Sequence, residues 1–334
     1  MPAVCHAAIA QEKTMDVIYD LFSLKSMAPD NAPHAVTIGN FDGVHAGHVH
    51  LIARTCEKAA ALGIAAAAVT FDPHPLWLLT GARIPQRITS LPHKLTLLGN
   101  LGLNRVFVLS FTHSIAALSP EEFIRSILME GLNMRALVIG YDYALGKGRS
   151  GNHAALATIG SRLGFAVEQV EQVFINKSPV SSSRIRSLLE DGKVEELPEL
   201  LGRFHSVDGT VVHGHGRGAQ LGFPTANIEV EDMTLPMPGV YATYAEIAPA
   251  RGNGRKAFAG VANIGANPTF CGTAISLETH LLDFAQEIYG MSMRLHFVAR
   301  LRNEQRFETP LKLQLQIAKD IAVARRILEA NPFP

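Results

Sequence analysis

The rhythm of apolar and polar positions changes about two-thirds of the way along the chain. Before residue 200, short unbroken apolar runs alternate with stretches of helical period. Ala35 to Ile38, Ile64 to Phe71, Val106 to Leu109 and Ala136 to Ile139 are such runs, and each reads as a short buried strand. Helical patterns lie between them, as at Glu121 to Leu128 and from about His48, where Leu51, Ile52, Thr55 and Ala59 share a face. This alternation predicts an α/β unit with a parallel, doubly wound sheet. After residue 203 the rhythm shortens. Val207 to Val212, Gly239 to Ile247, Ala257 to Ile264, Ile275 to Leu282 and Met293 to Leu301 are closely spaced strand patterns punctuated by glycine and proline, which predicts an antiparallel β-barrel. Thr309-Pro310 supplies an N-cap and a first helical residue. Behind it, Leu313, Ile317, Ile321, Ala324 and Leu328 form one face of a terminal helix.

The 334 residues, 47% hydrophobic, suffice for two cores. The expected division is an N-terminal extension over residues 1–33, an α/β domain over 34–190, a linker over 191–203 and a barrel domain over 204–334. The extension shows little periodicity, and Met15 is a second candidate start. Thirty basic and thirty acidic residues balance, which argues against a nucleic-acid partner. Cys5, Cys56 and Cys271 have neither zinc spacing nor a disulfide pattern, as expected in the cytoplasm. No apolar run reaches the ~20 residues of a membrane span, and no signal peptide is evident. The expected partners are small molecules, and the expected state is a monomer or weak homo-oligomer.

Candidate chemistry in the first half starts with Gly39-Asn40-Phe41-Asp42-Gly43-Val44-His45-Ala46-Gly47-His48. A strand feeding a glycine-bearing loop at a helix N-terminus is a phosphate cradle, because backbone N–H groups and the helix dipole both favour an anion. His45 and His48 can donate to charge that builds as a phosphorus–oxygen bond breaks. The alternatives are an ordinary strand–helix turn with two surface histidines and a metal pair, the latter lacking further ligands nearby. Asp72-Pro73-His74-Pro75 ends the next strand and alone reads as a rigid loop. Asp142, with Lys147 and Arg149 on the glycine-rich stretch behind it, can meet a ligand amide, hydroxyl or phosphate, or belong to a surface loop. Ser182, Ser183 and Arg186 open a helix. Serines there act as caps, and with arginine they make a second phosphate-binding helix end. Two such ends in one α/β domain point to ATP.

In the second half, Gly214, Gly216 and Arg217 form a loop able to wrap a phosphate. Gly222-Phe223-Pro224-Thr225-Ala226-Asn227 follows. Thr225 and Asn227 lie two apart, share one side of an extended chain, and offer hard oxygens suited to Mg²⁺. Glu278 faces away from Ile275, Leu277 and Leu281 by strand alternation. It can accept a proton from an alcohol, although a solvated strand glutamate is the plainer reading. Arg294, Arg300 and Arg302 oppose an apolar face and alone indicate only a solvent-facing side.

Taken in order, Gly39 to His48, Phe71 to Pro75, Ile139 to Gly151 and Val180 to Arg186 resemble the adenylyltransferase half of the bacterial bifunctional riboflavin kinase/FAD synthetase family. The chain departs from the family pattern at Tyr143-Ala144-Leu145, where a basic side chain and a second aromatic are usual. Gly214 to Asn227, Pro238 to Tyr241, Asn263 to Phe270, Glu278, Leu301-Arg302 and Phe307 resemble its riboflavin kinase domain, with His215 in place of a common acidic residue. The resemblance implies a Rossmann-like nucleotidyltransferase domain followed by a riboflavin kinase barrel with a terminal helix. It implies ATP as co-substrate, Mg²⁺ as cofactor, and riboflavin, FMN and FAD as substrates and products. For the adenylyltransferase it implies roles for His45 and His48, for Gly39, Phe41, Gly43, Gly47, Ser182, Ser183 and Arg186 on ATP, and for Asp72, Asp142 and Arg149 on flavin or nucleotide. For the kinase it implies Glu278 as base, Thr225 and Asn227 on Mg²⁺ and phosphates, and Gly214, Gly216, Arg217, Gly222, Pro224 and Arg302 around ATP and flavin. Two rivals are a nucleotidyltransferase acting on another phosphate acceptor, such as nicotinamide mononucleotide, which leaves the Gly222 to Asn227 cluster without a purpose, and a non-catalytic flavin-binding protein.

Overall fold

A computed structural model describes residues 15–19, 32–75, 78, 86–146, 148, 150–214, 218, 221–248, 254–269 and 272–333. They divide into two compact units. The second comprises Asp42–Gly47, Pro85–Ser90 and Val173–Pro334, and the first holds the rest.

The first unit is built on six parallel strands: β1 (Asp16–Tyr19), β2 (His34–Ile38), β3 (Ala65–Phe71), β4 (Arg105–Leu109), β5 (Met134–Ile139) and β6 (Ala166–Gln169), in the order β1-β4-β3-β2-β5-β6. Val36, Ile38, Ala67, Val69, Leu137 and Ile139 are all buried, as apolar runs in a sheet covered on both faces require. The strand order reverses direction at β2, whose neighbours are β3 and β5. A ligand crevice is expected at such a switch point, beyond the carboxyl ends of the strands. Helix α1 (Ala46–Leu62) follows β2 and buries Leu51, Ile52, Thr55 and Ala59, the face expected from its period. Next come α2 (Leu91–Gly99), α3 (His113–Ala117), a helical run over 120–132 whose Phe123–Met129 part is a π-helix, and α4 (His153–Leu163). The pattern at 121–128 predicts a helix but not the wider winding.

One expectation needs correction. Residues 16–19, assigned to an aperiodic extension, form a strand paired with Arg105–Val108. Four residues are too few for a period to register, and the strand has a partner only once the sheet exists. The packing changes units between Gln172 and Val173, ahead of the linker expected at 191–203. Helix α5 (Ser182–Glu190) buries Ile185, Leu188 and Leu189 in the core that continues through Val207 and Tyr241.

The second unit carries a small hairpin, β7 (Phe174–Ile175) with β8 (Ser178–Pro179), then α5 and α6 (Leu197–Leu201). Its centre is a closed barrel of β9 (His205–Val212), β10 (Ala226–Glu229), β11 (Gly239–Ile247), β12 (Lys256–Thr269), β13 (Gly272–Leu281) and β14 (Ser292–Arg302), in the order β10-β13-β12-β11-β14-β9. Strand β10 was not expected as a strand. The segment around Arg87 joins this unit by main-chain bonds: Arg87 N–H donates to Asp232 O at 2.9 Å, and Thr234 N–H donates to Arg87 O at 2.8 Å. Helix α7 (Pro310–Ala330) starts as predicted, with the Thr309 hydroxyl accepting from Lys312 N–H at 3.3 Å and Pro310 in the first turn. Ala324 and Leu328 are its most buried apolar residues.

Candidate active sites

In the first unit, the loops leaving β2, β3 and β5 open on one pocket of about 580 Å³, lined among others by Gly39, Asn40, Phe71, His74, Phe111, Asp142 and Tyr143. Phe71, Phe111, Phe123 and Tyr143 are among its walls, and Phe71 and Phe111 meet edge to face with centroids 5.4 Å apart. Pockets of this size and lining suit a flat heteroaromatic ligand. Asp142 is exposed at the mouth. Gly39 is glycine because a Cβ there would stand 3.2 Å from the Phe41 ring. That ring is fully buried and meets His48 edge to face at 5.3 Å. Asp72 N–H donates to Leu109 O at 3.0 Å, which ties the end of β3 to β4.

Lys94, which the sequence did not flag, and His74 of the 72–75 motif hold this loop. Lys94, buried on α2, donates from Nζ to Asn40 O and to the Thr70 hydroxyl, both at 3.1 Å. Asn40 Nδ2 lies 2.9 Å from His74 Nε2. A lysine in the apolar face of α2, beside buried Leu95 and Leu98, was the available signal, since a buried lysine needs fixed acceptors. At the departure Tyr143-Ala144-Leu145, Leu145 is buried and exchanges backbone bonds with Gly151 at 3.1 and 2.9 Å. Leu145 therefore anchors the loop in the core, and Tyr143 stays on the pocket wall. Arg149 and Lys147 lie outside the described residues.

In the second unit, the Asp42–Gly47 turn is gathered by α5 and the chain around it. The Asp42 carboxylate accepts Ile88 N–H at 3.0 Å and Thr89 N–H at 3.3 Å and pairs with Arg186. Ser182 donates to Asp42 O at 2.9 Å. The N-cap of α5 is Ser181, which accepts from Arg184 N–H at 3.2 Å. Ser182, one residue on, is thereby available to the loop, and Ser183 is exposed. His45 is buried, and a Cβ on Gly47 would stand 3.2 Å from its ring. Gly43 has φ +87°, where other residues are strained, and a Cβ there would also press Ile88 at 3.3 Å. Arg203 reaches the same turn, donating to Gly43 O at 2.6 Å and Val44 O at 3.3 Å. Burial, with Arg294 nearby, lowers its pKa to about 10.

On the barrel, β10 and β13 bring together residues far apart in the chain. Asn227 stands opposite Glu278, and Glu278 opposite Asn263 on β12, so the three side chains share one face. It is the face opposite buried Leu277 and Leu281, as strand alternation predicts. The Thr225 hydroxyl donates to Glu278 Oε2 at 3.4 Å. A Cβ on Gly214 would fall 2.0 Å from Asn227 Nδ2, so the Asn227 amide would have to shift. Gly222 has φ +82° and turns the chain into Pro224. Two further groups steady that turn: His280 Nδ1 lies 2.8 Å from Pro224 O, and Gln314 Nε2 donates to Leu221 O at 3.2 Å. Arg302 pairs with buried Asp320 on α7, at 3.0 and 3.1 Å from Nε, which joins strand to helix. Arg294 is likewise taken up by Asp208 at 2.7 Å. Gly216 and Arg217 lie outside the described residues. Among the described residues no group of three or more histidine, cysteine, aspartate or glutamate side chains is disposed to hold a metal. The Thr225, Asn227 and Glu278 oxygens nevertheless fit Mg²⁺, which takes few protein ligands and completes its shell with water and phosphate.

A parallel sheet with a ligand crevice, followed by a closed barrel with a carboxylate-centred row, defines a two-part nucleotide-handling protein. The FAD synthetase family model matches residues 27–184 and the riboflavin kinase family model matches residues 201–328. A bifunctional riboflavin kinase/FMN adenylyltransferase of Pseudomonas fluorescens is 36% identical over 91% of this chain and 96% of its own length. Its namesake in Escherichia coli K12 is 37% identical over 87% and 91%. A crystal structure described as a macrolide-efflux protein from Streptococcus pneumoniae superposes with a TM-score of 0.82 at 28% identity, over 92% of this chain and 98% of that one. Among the described residues no helix is long and apolar enough to cross a membrane. The chain belongs to the bifunctional riboflavin kinase/FMN adenylyltransferase family, with an FAD synthetase domain followed by a riboflavin kinase domain.

Proposed function

We propose that this chain makes FMN and then FAD. Its 204–334 domain phosphorylates riboflavin, and its 34–190 domain adenylylates the product. The observation that carries this reading is the separate match of each half to its own enzyme family.

In the kinase reaction, the ribityl 5′-hydroxyl oxygen bonds to the γ-phosphorus of ATP as the bond to the β,γ-bridging oxygen breaks, leaving ADP. Glu278 accepts the hydroxyl proton. Its carboxylate is the acidic member of the Asn227–Glu278–Asn263 row, and Thr225 orients it. Thr225 and Asn227 would hold Mg²⁺, which would supply neutralisation of phosphate charge. Gly214, Gly216, Arg217, Gly222 and Pro224 shape the loop over the phosphates. Arg302 serves from behind, because Asp320 occupies its guanidinium.

In the adenylyl transfer, an FMN phosphate oxygen bonds to the α-phosphorus of a second ATP as the α,β-bridging bond breaks, releasing pyrophosphate. No protein nucleophile is needed. His45 and His48 donate to the charge that builds on the triphosphate. Gly39, Phe41, Gly43 and Gly47 give the loop its path, while Ser182, Ser183 and Arg186 support it at the start of α5. The pocket accepts the isoalloxazine or adenine ring, with Asp142 among its lining residues, and the family resemblance assigns Asp72 and Arg149 to the flavin or nucleotide as well. The enzyme works on small molecules in the cytoplasm, as a monomer or weak homo-oligomer, without nucleic acid.

The test is incubation with riboflavin, ATP and Mg²⁺ followed by chromatographic separation of the flavins. Appearance of FMN and then FAD is the expected outcome. Tight flavin binding without turnover would overturn the reading.

A further inference from the structure

Two residues before His45 the chain enters a backbone region that disfavours L side chains. Gly43 has φ +87° and Val44 has φ +40°. Glycine accepts this, but a β-branched residue with positive φ is a true outlier, because its branched Cβ crowds the following carbonyl. Val44 is 2% exposed, so solvent does not ease the crowding. Such a conformation persists only where surrounding contacts impose it.

Both carbonyls of this pair are bonded from residue 203, just before the barrel. Arg203 Nη2 donates to Gly43 O at 2.6 Å, and Nη1 donates to Val44 O at 3.3 Å and to Leu201 O at 3.0 Å. One guanidinium thus bonds both carbonyls of the strained pair and ties them to the end of α6. The fork geometry of arginine allows this, and a lysine ammonium of similar reach has no fixed second arm. Among the described residues no carboxylate forms an ion pair with Arg203. The nearby Asp208 is held by Arg294. A half-buried arginine spent on backbone carbonyls is unusual, since the same group would gain more from a carboxylate.

We infer that Arg203 is a positioning residue for adenylyl transfer: by holding the Gly43 and Val44 carbonyls it keeps the turn left-handed and sets where His45 stands. This rests on the proposed adenylyl-transfer function for its consequence in rate, and on geometry alone for its consequence in the loop. The two can therefore fail separately. The expected phenotype is a loss in kcat with little change in the KM for ATP, because the turn places a group that acts on developing charge.

The experiment uses the full chain. Arg203→Ala is expected to lower kcat for FAD synthesis from supplied FMN at least tenfold, and to leave FMN synthesis within about twofold of wild type. Amide hydrogen exchange across residues 42–47 is expected to quicken while the barrel strands stay protected. Adding Val44→Gly to Arg203→Ala is expected to recover part of the lost rate, since glycine holds φ +40° without a brace. A structural defect elsewhere would gain nothing from that second change. Should Arg203→Ala fail to fold, Arg203→Lys decides the matter, with an intermediate loss of FAD synthesis and an intermediate rise in loop exchange expected. Unchanged exchange in the loop overturns the inference whatever the activities are. Equal loss of both reactions in a folded variant also overturns it. A wild-type chain that made no FAD would count against the proposed function, and the exchange result would still judge the brace.

Discussion

The Gly39–His48 loop and the Thr225–Asn227–Glu278 cluster concentrate chemistry in different ways. The loop is contiguous: ten successive residues carry its glycines, its carboxylate and both histidines. Its shape comes from backbone states such as φ +49° at Phe41 and +40° at Val44, imposed by groups bonded to its carbonyls. The barrel cluster is discontinuous, with Glu278 lying 51 residues beyond Asn227 in sequence and directly opposite it across two strands. Its backbone is ordinary strand, and its precision comes from register. A loop built on strain depends on its braces, whereas a cluster built on register depends on pairing that many main-chain bonds share.

That contrast can be broken by substitution, starting with the largest effect. Glu278→Gln removes the carboxylate but keeps the shape, and FMN formation is expected to fall about 10²–10⁴-fold while FAD synthesis from supplied FMN persists. Chromatography of the flavins reads both rates, and a variant with full kinase activity would remove Glu278 from the role of base. His48→Ala is the mirror experiment. FAD synthesis is expected to fall roughly 10²–10³-fold with FMN formation intact, and loss of both in a folded protein would end the separation of the two sites.

Gly214→Ala sharpens the comparison, because the new methyl would overlap Asn227 Nδ2 at 2.0 Å. Displacing that amide is expected to cost roughly 1–3 kcal/mol, read as a raised KM for ATP in the kinase reaction alone. An unaffected KM would show that Asn227 has room to move.

A smaller effect tests the barrel scaffold beneath its active row. Burial lowers the pKa of His205 to about 3, and its Nε2 lies 3.1 Å from Thr234 O. The unfolded chain takes up a proton near pH 6.5 and the folded chain does not until about pH 3. Stability is therefore full above the unfolded pKa and falls as the pH drops towards 3. Between pH 7 and 5 that loss is about 2 kcal/mol. His205→Gln is expected to flatten this part of the profile, measured by denaturant unfolding at the two pH values. An unchanged slope would assign the acid sensitivity to other groups. The smallest effect is at Thr309→Ala, where loss of the α7 N-cap is expected to cost about 1 kcal/mol, seen as a lowered Tm with both activities retained at 25 °C.

Legibility followed the same division. The loop was readable because its chemistry is contiguous and Gly43, at φ +87°, holds a turn that other residues adopt only under strain. What holds the loop was not readable. Lys94 and Arg203 are common residue types in ordinary contexts, and each acquires its role from a carbonyl at least 54 residues away. The π-helical winding at Phe123–Met129 escaped for a different reason, since a period of 3.6 and a slightly wider one look alike over seven residues.

By itself, the sequence determined the two rhythms of the chain, the buried face of α1, the capped start of α7 and the motifs that name the chemistry, because these rest on short-range periodicity and steric rules acting within a few residues. Tertiary structure decided that Asp16–Tyr19 is an edge strand, that Asn227 faces Glu278, that Arg302 serves Asp320, and that Arg203 braces Val44. Each of those depends on a partner whose distance along the chain is unrelated to its distance in space, and only the closed sheet and barrel bring the partners together.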